Sequence, residues 1–483
     1  MDDDCRVLVV ANRLPMTITV QDDGTFNYQM SSGGLASSLH GLQEKMKFQW
    51  FGWPGIDVHR SDRDTISHEV AERCKAVPVF LSKETASNYY TGFCNQVLWP
   101  LLHNMPEKAL FNSKWLAKYR EVNEIFADYI VPHVENGDLI WIHDYQLLLL
   151  PGILRERLEK RKVIRIGFFL HTPFPREDSF AILPLREEIC NSILSCDLVG
   201  LHIKDYADRL ISGCEAVLEE VHCSPHDLHY HGRKVMVEHF AIGIDPDSFR
   251  ETVNTAGVQS QISLSERSFA GRKIILGVDR LDYIKGMPQR LAAFDKLLDD
   301  FPEWVGKVVL IQVAVPSRTD VLEYAKLRDA VERQVGRING KHSRIDYTPI
   351  HYMYKSVPFE ELCALYAMAD VCFISSIQDG MNLVSYEYVA CQQDRKGVLL
   401  LSQYTGAAKM LPGALITNPW DTPRCAEAIN EALTLPAAER IKKYDECAKV
   451  VNKYTSIRWG RSFLNALEST PLQNRTPRSD GVH

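Results

Sequence analysis

The residues best placed to do chemistry lie in one stretch, Ser375-Ser376-Ile377-Gln378-Asp379-Gly380-Met381-Asn382-Leu383-Val384-Ser385-Tyr386-Glu387. The apolar run Val371-Cys372-Phe373-Ile374 before it predicts a buried strand, and a helical pattern begins at Leu383. A strand that passes through a glycine loop into a helix leaves backbone N–H groups without intrahelical acceptors. Those groups and the helix dipole favour an anion, most often phosphate. Asp379 and Glu387, at the two ends of the stretch, would repel phosphate but suit sugar hydroxyls. The combination suggests a nucleotide-sugar clamp. An ordinary α/β connection with surface acids fits this segment equally well when it is taken alone.

Other apolar runs deliver polar residues in the same way. Arg6–Val10 leads to Arg13, 138–142 to His143 and Asp144, and 164–170 to His171. Ligands of open α/β sheets bind beyond the carboxyl ends of the strands, so three such deliveries point to one site better than any single one does. Further along, the 273–278 run leads to Arg280, Lys285 and Gly286, and the 307–315 run leads to Arg318. Arginine as a fork and lysine as a point charge suit a diphosphate, although solvated surface cations would look the same. Gly33-Gly34 before a helical pattern permits close backbone approach to a ligand, a weak signal by itself. Trp53, Tyr90 and Trp99 lie in aromatic segments that could stack on a sugar or simply fill a core.

These residues need a scaffold, and the sequence supplies one. Strand-like runs alternate with helical patterns in both halves, which predicts parallel sheets in an α/β fold. At 483 residues the chain is too long for one core. We place the first domain at 1–245 and the second at 246–455, with a helix at 456–468 whose Trp459 and Phe463 share a face. The polar segment 254–268 reads as a flexible insertion and 469–483 as a disordered tail. A net charge of −7 argues against nucleic acid, whose phosphates need a basic footprint. No apolar run approaches the ~20 residues that cross a bilayer. The acidic N-terminus leads directly into a strand, with no recognisable leader, and the twelve cysteines form no C-x-x-C pair. Both fit a cytoplasmic protein with reduced thiols. The histidine-rich 221–231 segment matches no standard zinc spacing.

The motifs together are specific. Ala11-Asn12-Arg13-Leu14-Pro15, Ser32-Gly33-Gly34-Leu35, Phe51-Gly52-Trp53-Pro54-Gly55, Val97-Leu98-Trp99-Pro100, Trp141-Ile142-His143-Asp144-Tyr145, Phe169-Leu170-His171-Thr172-Pro173-Phe174-Pro175, Val278 to Gly286 and Asp379 to Val384 resemble the trehalose-6-phosphate synthases, glycosyltransferase family 20. The likeness covers residues 5 to 470 and leans toward the fungal or other eukaryotic form. It implies the GT-B fold, in which two Rossmann-like domains with parallel sheets face each other across a deep cleft and a C-terminal helix crosses back to the first. It implies transfer of glucose from UDP-glucose to glucose 6-phosphate with retention. The donor set would be Gly34, Arg280, Lys285, Val357, Asp379, Gly380, Met381, Asn382, Leu383, Val384 and Glu387. The acceptor set would be Arg13, Trp53, Tyr90, Trp99, Asp144 and Arg318, with His171 beside the transferred glucose. Arg280, Lys285, His171 and Asp379 would carry catalysis.

No cofactor and no metal ion are expected, because Arg280 and Lys285 take the place of a divalent cation and no D-x-D motif lies in a suitable loop. Expected partners are the two small-molecule substrates, with neither nucleic acid nor membrane. A homo-oligomer, or a complex with phosphatase or regulatory subunits of trehalose synthesis, stays open. Two other readings remain: a sister transferase with another phosphorylated acceptor or a GDP-glucose donor, and a non-catalytic subunit that senses sugar phosphate.

Overall fold

The computed structural model describes residues 6–31, 35, 39, 47–158, 163–224, 226–269 and 271–472. The chain divides into two compact units, residues 1–242 with 456–483, and residues 243–455. The first unit therefore ends three residues ahead of the expected boundary. Gly243 already packs in the second unit, where a Cβ would run into the Tyr454 carbonyl.

In the first unit the strands are β1 (Arg6–Arg13), β2 (Met16–Val20), β3 (Phe26–Met30), β4 (Lys47–Trp53), β5 (Ala76–Pro78), β6 (Leu139–His143), β7 (Arg165–Phe169), β8 (Leu198–Leu201), β9 (His222–Ser224), β10 (Asp227–Tyr230) and β11 (Arg233–His239). They form a nine-stranded sheet, β5-β4-β1-β6-β7-β8-β11-β10-β9, and a separate β2-β3 hairpin. From β5 to β11 the neighbours run parallel, and β10 and β9 extend the edge antiparallel. Val7 to Val10 and Leu139 to Ile142 are fully buried, as both-face coverage of a parallel sheet demands.

The second unit holds β12 (Lys273–Arg280), β13 (Val308–Val315), β14 (Ile350–Met353), β15 (Val371–Ile374), β16 (Val398–Ser402) and β17 (Leu415–Thr417). They are ordered β14-β13-β12-β15-β16-β17 and parallel throughout. Each sheet contains a run in which the first strand sits centrally and later strands spread to either side. That is the doubly wound Rossmann order, with its switch point between β1 and β6 in one unit and between β12 and β15 in the other.

The final helix, Ser456–Ser469, buries Trp459, Phe463, Leu464 and Leu467. Its seat is made by two glycines. A Cβ on Gly167 of β7 or Gly200 of β8 would come within 2.8 Å of the Phe463 ring. Their absence of side chains lets Phe463 lie flat, stacked on Trp141 at 4.8 Å.

Local expectations fared unevenly. The β2-β3 hairpin turns through Asp22–Thr25. The supposed flexible insertion is instead a helix, Ala256–Ser268, capped by the Thr255 hydroxyl and seated through Val258. Its mostly exposed polar faces concealed it. Strand β5 stops at Pro78, and the long helix Ser113–Ile130 ends ahead of Pro132. The segment holding Tyr90 is a wide helix of π type, Ser87–Leu98. Its Gly92 lies against Trp115, so close that a Cβ would come 2.7 Å from the indole. Most of the tail, 473–483, and the Gly33-Gly34 turn lie outside the described residues. The eleven cysteines among the described residues are free thiols.

Phe463→Ala should cost about 3–5 kcal/mol, the range for a large core truncation. Hydrogen exchange should show protection lost over 456–469 and along β7, while β12 to β15 keep theirs.

Candidate active site

The second unit shows how a strand-end site is assembled. β12 delivers Arg280, which is exposed at the sheet edge. The chain then turns through Tyr283–Lys285 and reaches Gly286, whose φ of 65° lies in the left-handed region. A side chain there would strike the Ser375 carbonyl, so glycine is needed for both reasons. The turn is stitched to the loop after β15. Ser375 Oγ donates to the Gly286 carbonyl at 2.8 Å, and the Ile377 N–H to the Ile284 carbonyl at 2.8 Å. Lys285 Nζ meets Asp379 Oδ2 at 2.6 Å, with 13% and 9% of the two side chains exposed. Ser376 Oγ and Asn382 Nδ2 donate to the same carboxylate oxygen, each at 3.2 Å.

Asn382 also caps the helix Leu383–Cys391, its Oδ1 accepting from the Ser385 N–H at 3.0 Å. With that amide taken, those of Leu383 and Val384 are first-turn donors with no intrahelical acceptor. Gly380 is buried in the loop, and Met381, Leu383, Val384 and Val357 pack partly against the core beneath. Glu387 is one turn into this helix rather than in the loop. It accepts from the Tyr366 hydroxyl at 2.7 Å, and burial raises its pKa.

Arg318 also belongs to the second unit. Its φ is 48°, its side chain is 4% exposed, and its guanidinium turns onto the Tyr324 hydroxyl and Asp282, 3.5 Å from Oδ2. Burial opposes ionisation of Asp282, but Arg318, Arg280 and the Ile284 N–H outweigh it and hold the carboxyl below its usual range. Beneath β12, Asp279 and Arg290 form a pair at 2.7 Å that is essentially sealed from water, with Arg290 bridging to Gln312 at 2.9 Å.

In the first unit β1, β6 and β7 are adjacent and parallel, so Arg13, His143 with Asp144, and His171 emerge at one edge. The Arg13 guanidinium lies 4.5 Å above the Trp53 ring, and Tyr90 meets the same ring edge-on at 6.2 Å. The buried Trp53 indole N–H has no acceptor among the described residues. Trp99 is buried against His103 and Tyr145. Asp144 has φ 73°, and its Oδ1 accepts from the His171 N–H at 3.2 Å. His171 and His143 share a hydrogen bond at 3.2 Å. Burial pushes the His143 imidazole down to about 3, and burial, with His143 and His202 nearby, holds His171 well below its ordinary value.

The structure thus gathers Arg13, Trp53 and Tyr90, separately Asp144 and His171, and in the other unit Lys285 and Asp379. Sequence reasoning missed Asp282, Tyr324 and the Tyr366–Glu387 bond. The acid in Val278-Asp279-Arg280-Leu281-Asp282 was the available signal for Asp282. Gly34 lies outside the described residues. The described residues hold one group spaced for a metal ion, Asp295, Asp299 and His342. It is already neutralised by Lys341 and Arg337.

Two doubly wound units with cations and helix amides at strand ends define the GT-B class of sugar transferases. The family model for glycosyltransferase family 20 matches residues 5–469, and the chain belongs to that family. A Saccharomyces cerevisiae relative is 49% identical over 96% of this chain and 94% of its own length; it is the "Alpha,alpha-trehalose-phosphate synthase [UDP-forming] 56 kDa subunit". An E. coli protein solved bound with UDP-2-fluoro glucose aligns at TM-score 0.88 and 31% identity, covering 97% of this chain and 100% of that one. A UDP-forming alpha,alpha-trehalose-phosphate synthase from Burkholderia xenovorans, solved with glucose-6-phosphate, aligns at 0.84 and 31%, covering 96% and 100%.

The imidazole environment has a measurable consequence. Above pH ~6.5, the ordinary histidine value, His143 is neutral folded or unfolded, and its contribution to stability is fully present. As pH falls, the unfolded chain takes up a proton that folded His143 refuses until about 3. Stability should drop by about 1.4 kcal/mol per pH unit for this group alone. Thermal melts between pH 7 and 5 should show a shallower fall for His143→Phe than for the unmutated protein.

Proposed function

We propose that the chain transfers glucose from UDP-glucose to glucose 6-phosphate, giving α,α-trehalose 6-phosphate and UDP. The observation that carries the reading is the strand-end assembly of Arg280, Lys285 and the Leu383 and Val384 amides around one switch point, in a chain nearly half identical to UDP-forming synthases. Diphosphate leaving chemistry needs preorganised positive charge where the leaving oxygen forms. Lys285 cannot wander, because Asp379 holds it.

On the donor side, Arg280 and Lys285 bind the diphosphate, and the backbone from Gly380 to Val384 binds phosphate and glucose. Asp379 meets glucose hydroxyls while fixing Lys285, Glu387 takes the ribose, and Val357 lies against uracil. Gly34 joins the donor set on the strength of the resemblance alone. On the acceptor side, Arg13, Tyr90, Trp99 and Arg318 hold the 6-phosphate. Trp53, whose indole N–H has no acceptor among the described residues, and Asp144 lie beside the acceptor sugar, and His171 beside the transferred glucose.

The bond from glucose C1 to the β-phosphate oxygen breaks, and a bond from C1 to the acceptor's anomeric oxygen forms on the same face. The acceptor's proton passes to the departing phosphate oxygen. No protein base is then required, which suits His171: an imidazole of strongly lowered pKa carries no charge near neutrality. The cations make a divalent metal unnecessary. A cytoplasmic location accords with the absence, among the described residues, of a helix long and apolar enough to cross a membrane. The "56 kDa subunit" in the yeast relative's name supports assembly with further subunits.

UDP release should be rapid with UDP-glucose and glucose 6-phosphate, and slow with glycerol 3-phosphate or no acceptor. It should survive a chelator of divalent cations. Lys285→Ala should lose about 10²–10³ in kcat, the cost of one preorganised donor at a developing oxyanion. Normal turnover in that variant would sink the mechanism, and no release under any condition would favour a sensing subunit.

A further inference from the structure

Three imidazoles stand at the ends of three neighbouring strands: His143 closes β6, His171 follows β7 and His202 follows β8. His171 lies 5.4 Å from His143 and 5.5 Å from His202, ring centre to ring centre. Trp459 of the final helix packs against both His143 and His171, with Phe169 beside them. The rings are held in place by a wall of aromatic side chains, and one hydrogen bond links two of them.

That bond, His143 Nδ1 to His171 Nε2 at 3.2 Å, joins two neutral rings, so one nitrogen carries the proton and the other accepts it. The choice is settled at the far side of His143. Its Nε2 is buried, 1% of the residue being exposed, and has no partner among the described residues. The Trp141 ring packs against the His143 ring, centroids 4.5 Å apart, and offers an indole N–H, a donor only. If His171 donated, His143 would keep its proton on Nε2, as a buried N–H with no acceptor. If His143 donates, Nε2 is a bare lone pair. Orphaned buried N–H groups are the rarer and costlier of the two.

We propose that His143 is a positioning residue. By donating from Nδ1 it fixes His171 as the Nδ1–H tautomer, so that His171 presents a hydrogen-bond donor to an oxygen of the transferred sugar. This rests on the reading above that His171 faces that sugar. Asp144 and His202 are the other polar side chains at the ring. Asp144 Oδ1 accepts from the His171 backbone amide, and the hydrogen bond to the His171 Nε2 comes from His143. Trp459 holds the pair from behind, so the last helix of the chain takes part in setting a proton position at the first unit's edge.

The full-length protein labelled with 15N-histidine tests this directly. Long-range proton–nitrogen correlations should show His171 protonated on Nδ1 and bare on Nε2, and His143 protonated on Nδ1. The opposite pattern would overturn the proposal without any variant. His143→Phe keeps an aromatic ring and removes both nitrogens. It should lower kcat about ten-fold, roughly the worth of one neutral hydrogen bond, with little change in KM for UDP-glucose or in melting temperature at pH 7.5. His143→Asn, which keeps an amide donor near the Nδ1 position, should restore most of the loss. Unchanged kcat in His143→Phe alongside a crippled His171→Ala would overturn the positioning role. Full activity in His171→Ala would instead overturn the reading that His171 serves the sugar, and the donor role with it.

Discussion

A charge withdrawn from water must be met by an opposite charge held at a fixed distance, and the second unit is organised around one such pair. Lys285 and Asp379 are 94 residues apart in sequence and 2.6 Å apart in space. Neither side chain is more than 13% exposed, so loss of either partner strands a buried charge. The pair requires the turn after β12 to press against the loop after β15. That approach demands glycine at 286, where the Ser375 carbonyl leaves no room for a Cβ. It also places Asn382, which donates to Asp379 and caps the following helix with the same side chain. One electrostatic requirement thereby fixes the lysine, the loop and the start of the helix whose amides face outward.

The first unit solves a related problem without charge. His143 and His171 are held neutral by burial, and they are ordered by hydrogen bonding and aromatic packing rather than by ion pairs. The backing comes from the far end of the sequence. Gly167 and Gly200 leave a flat seat on the sheet, Phe463 fills it, and Trp459 reaches the imidazoles. Under the proposed function, the cations of the second unit would suit a departing diphosphate, and a neutral imidazole would suit a sugar oxygen that gains no full charge.

Membership of family 20 accounts for the motifs, but the geometry explains why they are as long as they are. In Val278 to Gly286, Asp279 answers Arg290, Asp282 answers Arg318 and Tyr324, and Lys285 answers Asp379. Asp279, Asp282 and Lys285 thus have inward partners, while Arg280 stands exposed at the end of β12. Arg13 in the first unit is similar, lying over Trp53 while its own carbonyl accepts from the Trp50 indole at 3.0 Å.

The sequence by itself determined the alternation of buried strands and helices, and with it the sheet edges where Arg13, His143, His171, Arg280 and Asp379 would emerge. Apolar runs of four to eight residues and turn-forming residues are local signals, and they survive without knowledge of partners. It did not reveal the helix over Ala256–Ser268, whose burial rests mainly on Val258, or the wide helix around Tyr90, whose seat depends on Trp115 meeting Gly92. Nor could it show that Arg318 turns onto Asp282, that Asp379 holds Lys285, or that Trp459 stands behind His171. These are pairings between residues far apart along the chain. Proton positions and ion pairs depend on which groups share a few ångströms of poorly solvated space, and only the tertiary structure decides that.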